Sequence, residues 1–245
     1  MQNINNEELK NSIIEGQVLL FNKPYRWTSF DVVNKVRWHL QKAIGVKKIK
    51  VGHAGTLDPL ATGLLILCTG KETKNIEQIQ SQNKEYVATI ALGKTTPSFD
   101  LETEVDKTFS TENITRQQVE DVIAKLQGSI MQEPPIFSAK KIDGKRAYEL
   151  ARKGTDKKLD PVEITIYQHE LLYFSQEEIK IRILCSKGTY IRAIARDIGI
   201  MLNNGAYLAN LERTKIGAFA VENALDPEQY CQELKDIIIR NKVTN

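Results

Sequence analysis

Gly52-His53-Ala54-Gly55-Thr56-Leu57-Asp58-Pro59-Leu60-Ala61-Thr62-Gly63-Leu64-Leu65-Ile66-Leu67-Cys68-Thr69-Gly70 is a stretch with two unlike halves. Up to Gly63 it is rich in glycine and threonine and holds one carboxylate, Asp58. From Leu64 to Cys68 it is continuously apolar, which reads as a buried strand or a short core segment. A loop rooted in such a core is a rigid mount for a reactive group. Pro59 pushes Asp58 out of the helical region towards extended geometry. Gly52, Gly55 and Gly63 admit positive φ or the close approach of another backbone. Asp-Pro also opens ordinary turns, so the residues alone leave two readings: a reactive carboxylate on a rigid mount, or a turn with a solvated aspartate.

Upstream of the loop, Val18–Phe21 is a short apolar strand ended by Asn22-Lys23-Pro24, and residues 1–16 read as a loose lead-in. Thr28-x-x-Asp31 has the form of a capping box, and Val32, Val33, Val36 and Leu40 follow at helical spacing, with Trp38 and His39 riding on that helix. Lys47, Lys48 and Lys50 then lead into the loop, where they serve solubility or a polyanion. Downstream, Lys71–Gln80 reads as a helix and Tyr86–Leu92 as an alternating strand. The acidic, Thr/Ser-rich run Thr95–Glu112 reads as a solvent-exposed loop or edge. A helix over Thr115–Leu126 carries a Thr115/Gln118 box and ends at Gly128. Pro134-Pro135 breaks the chain, and a helix over Lys145–Lys153 is expected inside an insertion at 128–160. Two strands flank Ser175-Gln176, a helix follows Gly188, Ala206–Phe219 is a strand pair or long strand, and Pro227 opens a last helix. Several strands have connections too short for parallel pairing. The expected fold is therefore α+β, a mixed, mostly antiparallel sheet flanked by helices.

The chain has 245 residues, enough to bury a sizeable core, and a net charge of only +3. No apolar run approaches the ~20 residues that span a bilayer, and the polar N-terminus has no secretory h-region. Cys68, Cys185 and Cys231 lie far apart, without the spacing of a zinc site or a disulfide framework. A cytoplasmic location fits. Charge is unevenly placed: residues 139–158 hold eight basic and three acidic side chains, and residues 100–121 hold seven acidic and two basic ones. The first run is a candidate nucleic-acid footprint or a solvated face.

The run His53–Leu65 resembles the signature of the TruB family of tRNA pseudouridine synthases. Three further blocks resemble it too: Leu20-Phe21-Asn22-Lys23-Pro24, Pro134-Pro135-Ile136-Phe137-Ser138-Ala139-Lys140-Lys141-Ile142-Asp143-Gly144-Lys145-Arg146-Ala147-Tyr148, and Cys185-Ser186-Lys187-Gly188-Thr189-Tyr190-Ile191-Arg192. The likeness spans residues 17–220 and is to the stand-alone bacterial type. It implies the pseudouridine synthase fold, with an active-site cleft across the middle of a long sheet, and isomerisation of uridine 55 in the T-arm of tRNA. It implies one catalytic domain over 17–245. Many relatives continue into a small RNA-binding domain, and none of substance is expected here.

By the same resemblance, Asp58 is the catalytic aspartate and Arg192 the cation paired with it. Tyr86 stacks on the base and accepts a proton, and Tyr190 is a second aromatic of the pocket. Leu211 contacts substrate, and His53 fills the space left by a flipped base. Lys23, Lys140 and Lys141 complete the substrate-binding set, the last two as phosphate clamps. The reaction breaks the N1–C1′ bond of uridine, turns the base and rejoins it through C5, so no oxidant, cofactor or metal is expected. The only partner expected is tRNA, with no membrane, no obligatory protein partner and a monomeric state. Two alternatives stay open: a guide-RNA-dependent synthase, and a non-catalytic tRNA-binding or folding module.

Overall fold

The computed structural model describes residues 6–137, 141–142, 145–146 and 159–243. In chain order the elements are α1 (Asn6–Glu15), β1 (Val18–Lys23), α2 (Ser29–Ala43), β2 (Val51–His53), β3 (Ala61–Thr69), a 3-10 segment (Gly70–Asn75) and α3 (Ile76–Ser81). Then come β4 (Lys84–Leu92), β5 (Lys94–Thr95), β6 (Lys107–Thr108), α4 (Arg116–Lys125), β7 (Gly128–Gln132), β8 (Lys141–Ile142) and β9 (Lys145–Arg146). The chain continues through β10 (Val162–Phe174), β11 (Glu178–Cys185), α5 (Ile191–Met201), β12 (Ala206–Ile216), β13 (Phe219–Ala220) and α6 (Pro227–Val243). These form two compact units, Met1–Gln82 with Glu212–Asn245, and Asn83–Leu211.

The first unit is built on β3. Because successive strand side chains point to opposite faces, Leu65 and Leu67 join one core cluster and Leu64, Ile66 and Cys68 the other. A strand buried on both faces must be apolar at every position, which is why the run at 64–68 does not alternate. The first cluster takes Phe21, Val32, Val36 and Leu40, and Tyr230 and Leu234 of α6. Phe21 and Tyr230 meet edge to face at 5.2 Å. Both β1 and β2 pair antiparallel with β3, placing Lys23 opposite Gly63 and His53 opposite Leu67. The capping box of α2 forms as expected: Thr28 Oγ1 accepts from the Asp31 amide at 3.0 Å and Asp31 Oδ2 from the Thr28 amide at 2.8 Å.

The second unit holds the antiparallel order β4-β11-β10-β7. Lys84, Tyr86, Ala88, Ile90 and Leu92 form the buried face of β4, with Tyr86 opposite Ile183. Helix α4 buries Val119, Val122 and Ile123, and α5 buries Ile191, Ile194, Ala195 and Ile198. The α+β expectation, mostly antiparallel strands with flanking helices, holds.

Four expectations change. The lead-in contains α1, which sinks Leu9 and Ile13 into the first unit's core; two apolar residues four apart are a signal easily lost among polar neighbours. The expected helix at 71–80 starts as a 3-10 segment and turns α-helical only at Ile76. The stretch read as an insertion from residue 128 begins inside the sheet, since Gly128–Gln132 is β7, paired with β10. Lys145–Arg146, expected to open a helix, pairs as a strand with Lys141–Ile142; residues 147–153 of that helix lie outside the described residues.

Candidate active site

The Asp58 loop of the first unit is held by its own main chain. Ser29, 3% exposed at the start of α2, donates from its hydroxyl to the Leu57 carbonyl at 3.1 Å and accepts from the Leu57 amide at 2.8 Å. The Arg26 amide donates to the Pro59 carbonyl at 2.8 Å, and the Ala61 amide closes the turn onto the Asp58 carbonyl at 3.1 Å. Arg213, 1% exposed on β12, donates from Nε to the Leu64 carbonyl at 2.8 Å, from Nη1 to Thr56 at 3.3 Å and from Nη2 to Gly55 at 3.0 Å. Its planar fork of donors suits three carbonyls spread over a bend. Gly63 has φ +100 and lies so close to Arg213 that an added Cβ would sit 2.4 Å from that residue's carbonyl oxygen. The two residues flanking Asp58 are thus fixed, and the carboxylate itself is half-buried.

Lys23 lies beneath this loop. It was expected to bind substrate; the structure buries it completely, its ammonium donating to the carbonyls of Trp27 at 2.6 Å, Pro24 at 3.0 Å and Pro59 at 3.2 Å. Burial pulls its pKa down to about 8, and the Arg213 cation adds to this, against the attraction of Asp58 and Asp31. His53 is half-buried, with Nδ1 buried and unpartnered in this state. Desolvation first, then repulsion from Arg213, lowers its pKa below the ordinary imidazole value, against the Gly55 backbone, which favours the charged form.

The second unit holds Tyr86, Tyr190, Arg192 and Leu211. Tyr86 is 7% exposed on β4, and Leu211 is 8% exposed on β12. Tyr190 is the N-cap of α5, and its backbone is gripped at both ends by the fully buried Gln132 of β7. The Gln132 Oε1 accepts from the Tyr190 amide at 2.8 Å, and Nε2 donates to the Tyr190 carbonyl at 3.2 Å. Arg192, 5% exposed in the first turn of α5, lies 3.5 Å from the Asp100 carboxylate and donates to the Ser98 carbonyl at 3.4 Å.

The reading of Thr95–Glu112 as a solvent-exposed loop or edge holds over residues 101–112, and Asp100 belongs to a buried start of that stretch. Thr96, Ser98 and Asp100 are all buried. The hydroxyls of Thr96 and Ser98 donate to the Asp100 carbonyl at 2.7 and 3.2 Å, and Thr103 Oγ1 accepts from the Ser98 amide at 3.0 Å. Short hydroxyl side chains bonding to nearby backbone knot the segment together. The same composition, read as sequence, looks merely hydrophilic. Reasoning from sequence also missed Ser29, Gln132 and Arg213, each a polar residue whose bonds go to main-chain groups distant in sequence. Lys140 and the side chain of Lys141 lie outside the described residues. Among the described residues no group of three or more His, Cys, Asp and Glu gathers as a metal site, and no helix is long and apolar enough to cross a membrane.

A family model described as TruB family pseudouridylate synthase (N terminal domain) matches residues 41–191. A protein of Phocaeicola vulgatus named tRNA pseudouridine synthase B is 57% identical over 229 residues, 91% of this chain and 97% of that protein. Its namesake in Parabacteroides distasonis is 56% identical over 230 residues, 94% and 96%. Among solved structures, a chain in a Cbf5-Nop10-Gar1 complex superimposes with a TM-score of 0.68 at 26% identity. The likeness covers 93% of this chain and 57% of that one, so this chain spans a little over half its length.

Proposed function

The chain belongs to the TruB family of pseudouridylate synthases, and from that premise we propose that it converts uridine 55 in the T-arm of tRNA to pseudouridine, on bare tRNA and without a guide RNA. The observation that carries this reading is the Asp58 loop, whose flanking residues are pinned by Ser29 and Arg26 and whose first residues, Gly55 and Thr56, are held by Arg213. Holding a reacting group in one geometry before substrate arrives removes entropy from the barrier.

In the proposed reaction Asp58 is the nucleophile or cation stabiliser while the N1–C1′ bond breaks. The uracil turns, C5 bonds to C1′, and the C5 proton leaves to a base and returns to N1, so nothing is oxidised. Tyr86 stacks on the base and accepts the proton; Arg192 supports the charge of the carboxylate; Tyr190 and Leu211 line the base. The target uridine is flipped out of its loop at a cost of roughly a few kcal/mol. His53 fills the space it vacates, and the burial and Arg213 repulsion that lower its pKa favour the uncharged ring there. Lys23 acts on the loop beneath Asp58, and Lys140 and Lys141 on RNA phosphates.

Relatives 57% identical along nearly their whole length, all named tRNA pseudouridine synthase B, favour bare tRNA over a guide-dependent reaction. The test is to incubate unmodified tRNA with the pure protein and map pseudouridine along it. Formation at position 55 without added RNA is expected. Formation elsewhere, or only with a guide RNA, overturns the reading.

A further inference from the structure

Between Val32 and Leu57 the sequence holds Lys35, Arg37, Lys42, Lys47, Lys48 and Lys50 and no carboxylate, and it runs directly into the Asp58 loop. Lys35 is paired with Glu228 at 2.8 Å. The fold arranges the others. Helix α2 turns Val32, Val33, Val36 and Leu40 into the core, which sends Phe30, Asn34, Arg37 and Gln41 outward as a stripe at helical spacing. After α2, Val46 and Ile49 pack on the same core, so Lys47, Lys48 and Lys50 are left exposed. Gln41 Nε2 donates to the Lys47 carbonyl at 3.2 Å and ties this turn to the helix. An open depression of about 700 Å³ results, lined by Arg37, Gln41, Lys48, Ile49 and Lys50. The same helix exposes two large aromatics, Phe30 at 59% and Trp38 at 52%. The Arg37 guanidinium lies 6.0 Å from the Phe30 ring centroid and the Lys42 ammonium 5.7 Å from that of Trp38.

We propose that this face of α2 and the turn at 44–50 is a second RNA-docking surface, which takes phosphates of the tRNA beyond the nucleotide that reacts. The inference rests on the proposed function. A depression lined by three cations and no carboxylate, on a helix that also exposes aromatic rings carrying cations, matches a phosphodiester chain with stackable bases. Such contacts position and do not specify. Removing them therefore weakens binding of every tRNA alike and leaves the chemical step alone.

The test compares wild type with the triple variant Arg37→Gln, Lys48→Gln, Lys50→Gln. A second triple, Lys10→Gln, Lys107→Gln, Lys125→Gln, makes the same charge change on exposed lysines that do not line the depression. The readouts are tRNA Kd across a salt series and single-turnover rate at saturating tRNA. Each phosphate contact adds about 0.9 to the salt slope. The first variant should therefore bind at least about tenfold more weakly at low salt, with a slope shallower by roughly one to three. Its rate should stay within about threefold of wild type, and the second variant should match wild type. If both variants lose affinity equally, or neither does, while wild type converts tRNA, the surface is not a docking site. A wild type that converts no tRNA at all contradicts the proposed function instead.

Discussion

At the scale of single residues, the site depends on groups that grip backbone. Arg213→Lys keeps the charge but loses the fork that reaches Gly55, Thr56 and Leu64 together. Misplacing a reacting group by about 1 Å can cost 10²-fold, so single-turnover rate should fall by roughly ten- to a hundredfold with tRNA Kd almost unchanged. An equal loss in both would make Arg213 a general stability residue. Arg213→Met should also raise the pKa of His53, since repulsion is removed while burial remains; imidazole titration by NMR reads this directly. For Lys23, the folded pKa of about 8 lies below the unfolded value of 10.5. Between these values the unfolded chain binds more protons, so this group's contribution to stability rises with pH there and is lost as pH falls through 8. Wild type should therefore gain stability relative to Lys23→Met from pH 8 to 10.5 in denaturant titrations, and a flat difference would contradict the burial of the ammonium.

At the scale of elements, β3 and α2 were legible in the sequence because their signals are local. An apolar run, a Thr-x-x-Asp box and valines at helical spacing each correspond to what forms. Asp58 was legible as a candidate for the same reason: Pro59 and the surrounding glycines mark a constrained loop. The supports of that loop were not, because a serine at 29 and an arginine at 213 meet it across many intervening residues, and nothing in their neighbours says so. Helix α1 was missed because its buried apolar signal is short, Leu9 and Ile13 four residues apart. Ile13→Ala should thus cost about 2–5 kcal/mol, the range for deleting a buried aliphatic side chain. A cost near zero would restore the loose lead-in. Thr28→Ala should cost about 1 kcal/mol through the lost cap.

For the molecule as a whole, the family follows from matches along nearly the full length of its relatives. What the chain does with that fold rests on whether the pinned carboxylate is the reacting group. The most direct test is single-turnover pseudouridine formation by Asp58→Asn on unmodified tRNA, with tRNA Kd measured on the same preparation. The amide has almost the same shape and is no strong nucleophile. We expect no pseudouridine above the uncatalysed background and a Kd within a few-fold of wild type. Turnover near the wild-type rate, with binding intact, would show that the chemistry does not run through Asp58.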